Sequence, residues 1–117
     1  MRNKEESNFQ KACYSWFCLQ YPKLYYCLFS VPNGGSRNAI EAIHLKREGV
    51  TSGVSDFIFC YRGICTFIEL KTKSGIQSDN QKKFENKMRE EGFDYHIVRD
   101  IDSFMELIND IIMLCTD

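Results

Sequence analysis

The stretch GVSDFIFCYRGICTFIELK, residues 53–71, decides the fold and poses the functional problem. Its two apolar, aromatic and β-branched runs, DFIFCY (56–61) and CTFIELK (65–71), read as strands joined at Arg62-Gly63. An antiparallel hairpin centred on that dipeptide pairs Tyr61 with Ile64, Cys60 with Cys65 and Asp56 with Glu69. Directly opposed residues share a face, with Cβ atoms roughly 4.5–5.5 Å apart. Lys71, two residues beyond Glu69, projects to the same face. One hairpin therefore gathers two carboxylates and an ammonium in apolar surroundings, where uncompensated charge is costly. A hard cation between the carboxylates resolves the conflict, since Mg²⁺ takes oxygen ligands and is commonly held by one or two carboxylates plus waters. The competing reading is an Asp–Lys–Glu ion-pair network at a strand edge, and the hairpin by itself leaves both open.

Around the hairpin the periodicities give the order α-β-α-β-β-α-β-α. Residues 5 to about 20 follow helical spacing through Phe9, Ala12, Cys13, Trp16 and Phe17, and Pro22 stops the run. YYCLFSV (25–31) reads as a strand and PNGGSR (32–37) as a loop. Residues 38–48 predict a second helix ended by Gly49, and 79–91 a third ended by Gly92. DYHIV (94–98) is a short strand, and Phe104, Leu107, Ile108, Ile111 and Ile112 mark a last helix. Strands apolar on both alternating sets of positions belong in a sheet covered on both faces. The expected fold class is α/β, a mixed central sheet flanked by helices, with residues 1–117 as one domain.

Composition narrows the function classes. The 117 residues are 44% hydrophobic and 26% charged, a globular balance, with a net charge of -1. General polycation behaviour is excluded, and nucleic-acid binding would need a local basic patch or a partner subunit. MRNKEESNFQ lacks the apolar core of a signal peptide, and no apolar run reaches membrane-span length, so a cytoplasmic protein is expected. The six cysteines contain no C-x-x-C pair and read as free thiols. With only His44 and His96, a histidine-cluster metal site has little room. His44 is expected as a partly packed helix residue.

Six segments, in this order, carry a resemblance: E-S-N-F-Q (6–10), V-P-N-G-G-S-R (31–37), G-V-T-S-G-V-S-D (49–56), I-E-L-K-T (68–72), S-D-N-Q (78–81) and a Gly-aromatic turn before the last strand. Together they resemble the VRR-NUC family of the PD-(D/E)xK nuclease superfamily, especially its small stand-alone members from phages and bacteria. The likeness covers roughly residues 5 to 100. Ser55 stands where the family usually has a proline before the aspartate.

The resemblance implies a restriction-endonuclease-like core and a Mg²⁺- or Mn²⁺-dependent phosphodiesterase acting on DNA in the cytoplasm of a bacterial or phage-infected cell. Asp56 and Glu69 would be metal ligands, the backbone carbonyl of Leu70 would complete the shell, and Lys71 would be the catalytic lysine. Glu6 would be the first-helix acid and Gln81 the helix glutamine beside the site. Ser78-x-x-Gln81 is also a capping box, so Gln81 has a structural role open to it. Glu6, for its part, is favourably placed at a helix N-terminus whatever its function. Asn33, Ser36 and Arg37 in the Gly-rich loop, with Lys73, are candidate DNA-backbone contacts; an ordinary turn is the alternative for the loop. The likeness to compact dimeric resolvases implies a homodimer on branched, Holliday-junction-like DNA. A nicking or flap nuclease, or a non-catalytic DNA-binding module on the same fold, are the alternatives.

Overall fold

A computed structural model of the protein describes residues 3–32 and 38–115. Asn33, Ser36 and Arg37 lie outside the described residues. The elements run α1 (Lys4–Gln20), β1 (Leu28–Ser30), α2 (Ala39–Arg47), β2 (Phe57–Tyr61), β3 (Ile64–Leu70), α3 (Asp79–Glu90), β4 (Asp94–Val98) and α4 (Ile101–Leu114). The expected order holds. Each helix starts at a side-chain cap: Asn3, Asn38, Ser78 and Asp100 accept the N–H of Glu6, Glu41, Gln81 and Ser103.

The sheet order is β1-β2-β3-β4, with antiparallel pairs β1–β2 and β2–β3 and a parallel pair β3–β4. The predicted hairpin register is the observed one, from Tyr61↔Ile64 through Cys60↔Cys65 to Phe57↔Ile68. Arg62 and Gly63 take φ 50° and 83°, the paired left-handed conformation that suits a two-residue turn to strand twist. The Arg62 guanidinium lies 5.5 Å from the centre of the Tyr61 ring.

One face of the sheet carries the apolar core. Phe57, Phe59, Ile68, Leu70 and Val98 pack with Cys13 and Phe17 of α1 and Phe104 and Ile108 of α4, all buried. The other face packs on α3, where Phe67 meets Phe84 at 5.4 Å and Tyr95 at 6.4 Å between ring centres. β3 is buried at every position from Thr66 to Leu70, as a strand covered on both sides must be.

Two expectations need correction. The strand read over 25–31 is only Leu28–Ser30, because Pro22 opens a 3₁₀ turn and the chain is still turning when Cys27 N–H bonds Leu24 C=O. Tyr25 and Tyr26 precede the strand and are exposed. His44 is exposed, since none of the residues of α2 is buried. Among the described residues no helix is long and apolar enough to cross a membrane.

Candidate active site

Alternation along β3 puts Ile68 and Leu70 into the apolar core and Phe67 and Glu69 on the α3 face. Lys71 follows Glu69 to that face, where its Nζ donates to Gln81 Oε1 at 2.9 Å. Gln81 Oε1 also accepts the Ser78 N–H at 2.8 Å while Ser78 Oγ accepts the Gln81 N–H. A single atom of Gln81 thus takes two bonds: it closes the capping box of α3 and accepts from the lysine.

Asp56 lies one residue before β2. Its Oδ2 accepts the Leu70 N–H at 2.7 Å, which ties the two strand ends together beside Glu69. In a strand the N–H and C=O of one residue point the same way, so the Leu70 carbonyl faces the Asp56 side. The next amide, that of Lys71, points oppositely and bonds Val98 C=O. Ser55 is buried and its hydroxyl donates to Phe57 C=O, bracing the backbone around Asp56. Gly53 makes the approach of this loop to α3 possible. It has φ +90°, and a Cβ there would lie 2.3 Å from the Asn80 carbonyl oxygen.

Glu69 is fully buried, and its two oxygens are treated unequally. Oε1 accepts the Tyr95 hydroxyl at 2.6 Å and Gln77 Nε2 at 2.9 Å. Oε2 is buried without a hydrogen-bond partner, and Lys71 Nζ stands off at 3.8 Å. A charge-assisted N–H···O bond would close to about 2.7–2.9 Å. The lysine instead gives its short bond to Gln81, so a purely structural ion pair accounts poorly for the arrangement. Burial, and then the hydrogen bond to Glu69, push the Tyr95 hydroxyl far above its ordinary pKa, so it stays a donor.

The donor set fits a hard divalent cation. A buried carboxylate oxygen is left unsatisfied, a second carboxylate sits on the adjoining strand end, and a backbone carbonyl points between the strands. Among the described residues no three His, Cys, Asp or Glu side chains form a metal cluster. A cation here would therefore rely on two carboxylates, a carbonyl and water, the mode that suits magnesium.

Two further predicted residues lie on α1 and in the loop after β3. Glu6 occupies the first turn of α1, where its Oε1 accepts from Asn3 Nδ2 at 3.1 Å. One turn on, Gln10 Nε2 donates to Ser30 Oγ at the end of β1. Lys73 is exposed in the loop after β3. That loop is held by Arg99, whose Nη1 donates to the carbonyls of Thr72 and Gly75 at 2.8 Å each. Tyr95, Gln77 and Arg99 escape sequence reasoning. Only the parallel pairing of β4 with β3 brings Tyr95 opposite Phe67 and within reach of Glu69.

No family model matches the chain, nor does any curated protein. Solved structures do. A "VRR_NUC domain protein" superposes with a TM-score of 0.77 at 23% identity, covering 97% of this chain and 93% of that one. A second, titled "VRR_NUC domain", gives a TM-score of 0.59 at 18% identity, covering 92% of this chain and 97% of that one. At these identities the likeness is one of fold, and over nearly its whole length this chain has the fold of the VRR_NUC domain proteins.

Proposed function

We propose that this protein is a nuclease that hydrolyses DNA phosphodiester bonds with the help of Mg²⁺ or Mn²⁺. The observation that carries the reading is the unsatisfied, fully buried Oε2 of Glu69 beside Lys71 and Asp56, on a fold shared with VRR_NUC domain proteins. Asp56, Glu69 and the Leu70 carbonyl hold the cation. When bound, such a cation polarises a phosphoryl oxygen and acidifies a water. Lys71, fixed by Gln81, directs its ammonium to the negative charge that develops on the phosphate or to the attacking water. Glu6 adds an acid from the start of α1. Asn33, Ser36, Arg37 and Lys73 bind backbone phosphates, which fixes position rather than sequence.

The preferred substrate is branched DNA and the preferred assembly a homodimer. A net charge of -1 supports the second copy, because one near-neutral subunit offers little electrostatic grip on a duplex. The edge strand β1 supports it too, with Tyr25, Tyr26 and Phe29 exposed around it. Light scattering should give a dimer at micromolar concentration. A monomer both with and without junction DNA would remove that part of the reading.

The deciding experiment is cleavage of single-stranded, duplex, flap and four-way-junction DNA in Mg²⁺, Mn²⁺ or EDTA. Cleavage of the junction in either metal, abolished by EDTA and by Asp56→Asn, is the expected result. Preferential cutting of flaps or simple nicking would replace the substrate. Turnover that persists in EDTA would overturn the metal-assisted reading, and DNA binding without cleavage under any metal would favour a non-catalytic module.

A further inference from the structure

A network behind Glu69 goes one step beyond the proposed function while resting on its metal site. The carboxylate of a glutamate is two-fold symmetric about its last torsion, so nothing in the side chain distinguishes its oxygens. Here the protein distinguishes them: Oε1 takes two donors and Oε2 takes none. We propose that Tyr95 and Gln77 are positioning residues that commit Oε1 of Glu69 to the protein and reserve Oε2 for the divalent cation.

Both donors are themselves immobilised. The Tyr95 ring lies 6.4 Å from that of Phe67, 6.2 Å from that of Phe84 and 5.9 Å from the Arg89 guanidinium. Gln77 spends its Nε2 on Glu85 Oε1 as well as on Glu69, at 2.9 Å each. Arg89 then closes the circuit, with Nε on Glu85 Oε2 at 2.8 Å and Nη2 on Tyr95 C=O at 2.8 Å. The ring of contacts Glu69–Gln77–Glu85–Arg89–Tyr95 joins α3, β4 and the loop after β3 behind one carboxylate.

Its chemical consequence is directional. Two donors on Oε1 fix the plane of the carboxylate, and Oε2 keeps its full acceptor capacity at a buried point next to the Lys71 ammonium. Without those donors the carboxylate can rotate, and Oε2 can turn to other donors, Lys71 among them. Groups that orient a ligand in this way typically contribute about 10- to 100-fold to metal affinity.

The test is Mn²⁺ binding to the folded protein, read from loss of the free-Mn²⁺ EPR signal, with urea midpoints in EDTA measured beside it. Four proteins are compared: wild type, Asp56→Asn, Tyr95→Phe and Gln77→Ala. Tyr95→Phe keeps the ring and deletes only the donor. Gln77→Ala deletes the other donor from a half-buried loop position just before α3. Wild type should bind Mn²⁺ and Asp56→Asn should not. Tyr95→Phe should weaken Mn²⁺ binding by about 10- to 100-fold and Gln77→Ala by about 10-fold. A Tyr95→Phe protein with a lowered urea midpoint but Mn²⁺ affinity within twofold of wild type would make the tyrosine merely structural and overturn the inference. Should Tyr95→Phe not fold, Gln77→Ala decides on the same threshold. A wild type that binds no Mn²⁺ would instead overturn the metal site itself, and the inference with it.

Discussion

The two faces of one sheet differ in what they bury: one is largely apolar, the other sets charged groups beside its aromatic rings. Against α1 and α4, the sheet offers Phe57, Phe59, Ile68, Leu70 and Val98 to Cys13, Phe17, Phe104 and Ile108, with aromatic contacts such as Phe17–Phe59 at 5.7 Å and Phe57–Phe104 at 5.8 Å. Against α3, the same strand β3 offers Phe67, packed on Phe84 and Tyr95, but next to it Glu69 with Lys71 beyond, among Gln77, Gln81 and Glu85. Burying a carboxylate costs several kcal/mol after relaxation, whereas burying an aromatic side chain stabilises by about 1.5–3 kcal/mol. The apolar packing can therefore offset the buried charges held on the α3 face. Stability and chemistry are separated by nothing more than the alternation of side chains along one strand.

The separation can be broken most forcefully from the apolar side. Phe104→Ala opens a cavity between Trp16 and Phe57 and should lower stability by about 3–5 kcal/mol. Denaturant melting checks this. If the faces are independent, Mn²⁺ affinity of the surviving folded fraction stays at the wild-type value.

Gly53→Ala attacks the seam between the aspartate loop and α3. The positive φ and the 2.3 Å approach to Asn80 C=O leave a methyl no room. A loss of roughly 2–3 kcal/mol is expected, together with weaker metal binding, because Asp56 and Gln81 are carried by the two segments that would be forced apart. Unchanged Mn²⁺ affinity would show that the seam does not position the site.

Asp56→Asn tests the polar face directly. Asparagine can still accept the Leu70 N–H, so the shape is kept while a charge near Glu69 is removed. In EDTA the variant should be as stable as wild type or more so, by up to about 1 kcal/mol. Its stabilisation by Mg²⁺ should shrink, since ligand stabilisation tracks affinity for the folded state. A destabilised variant, with wild type itself indifferent to Mg²⁺, would restore the simple ion-pair reading.

Glu85 supplies a pH test of the ring behind Glu69. Burial pushes its carboxyl up, but hydrogen bonds from Arg89 and Gln77 outweigh this and leave it below its ordinary pKa. A folded pKa below the unfolded one means stability that is present above the unfolded value and lost as pH falls through the folded value. The urea-midpoint difference between wild type and Glu85→Gln should thus be constant above about pH 5 and shrink below it. A difference that does not change with pH would mean that the ionised Glu85 contributes nothing.

The smallest effect is expected at the hairpin. Cys60 and Cys65 face one another with sulfurs 4.0 Å apart, and both are free. Burial, then Cys60, push the Cys65 thiol up to about 11, which keeps it protonated. The double variant Cys60→Ser, Cys65→Ser should keep cleavage at the wild-type level, and loss of cleavage in a folded variant would give the thiols a part they are not assigned here.

The sequence by itself determined the hairpin, its register about Arg62-Gly63 and the shared face of Glu69 and Lys71, because these follow from a period of two and a turn within nineteen residues. It also determined three helix starts within a residue or two, since caps are local. The extent of β1 was not legible, because Pro22 turns the chain for longer than an aromatic run suggests. Nor were the partners of the two carboxylates. Asp56 turned out to hold the Leu70 amide, and Glu69 to rest on Tyr95, which follows it by twenty-six residues, and on Gln77. Those bonds depend on the parallel docking of β4 against β3 and on α3 closing over Gly53. Such docking is decided by the packing of whole elements, and the residues it brings together carry no spacing by which a sequence could announce them.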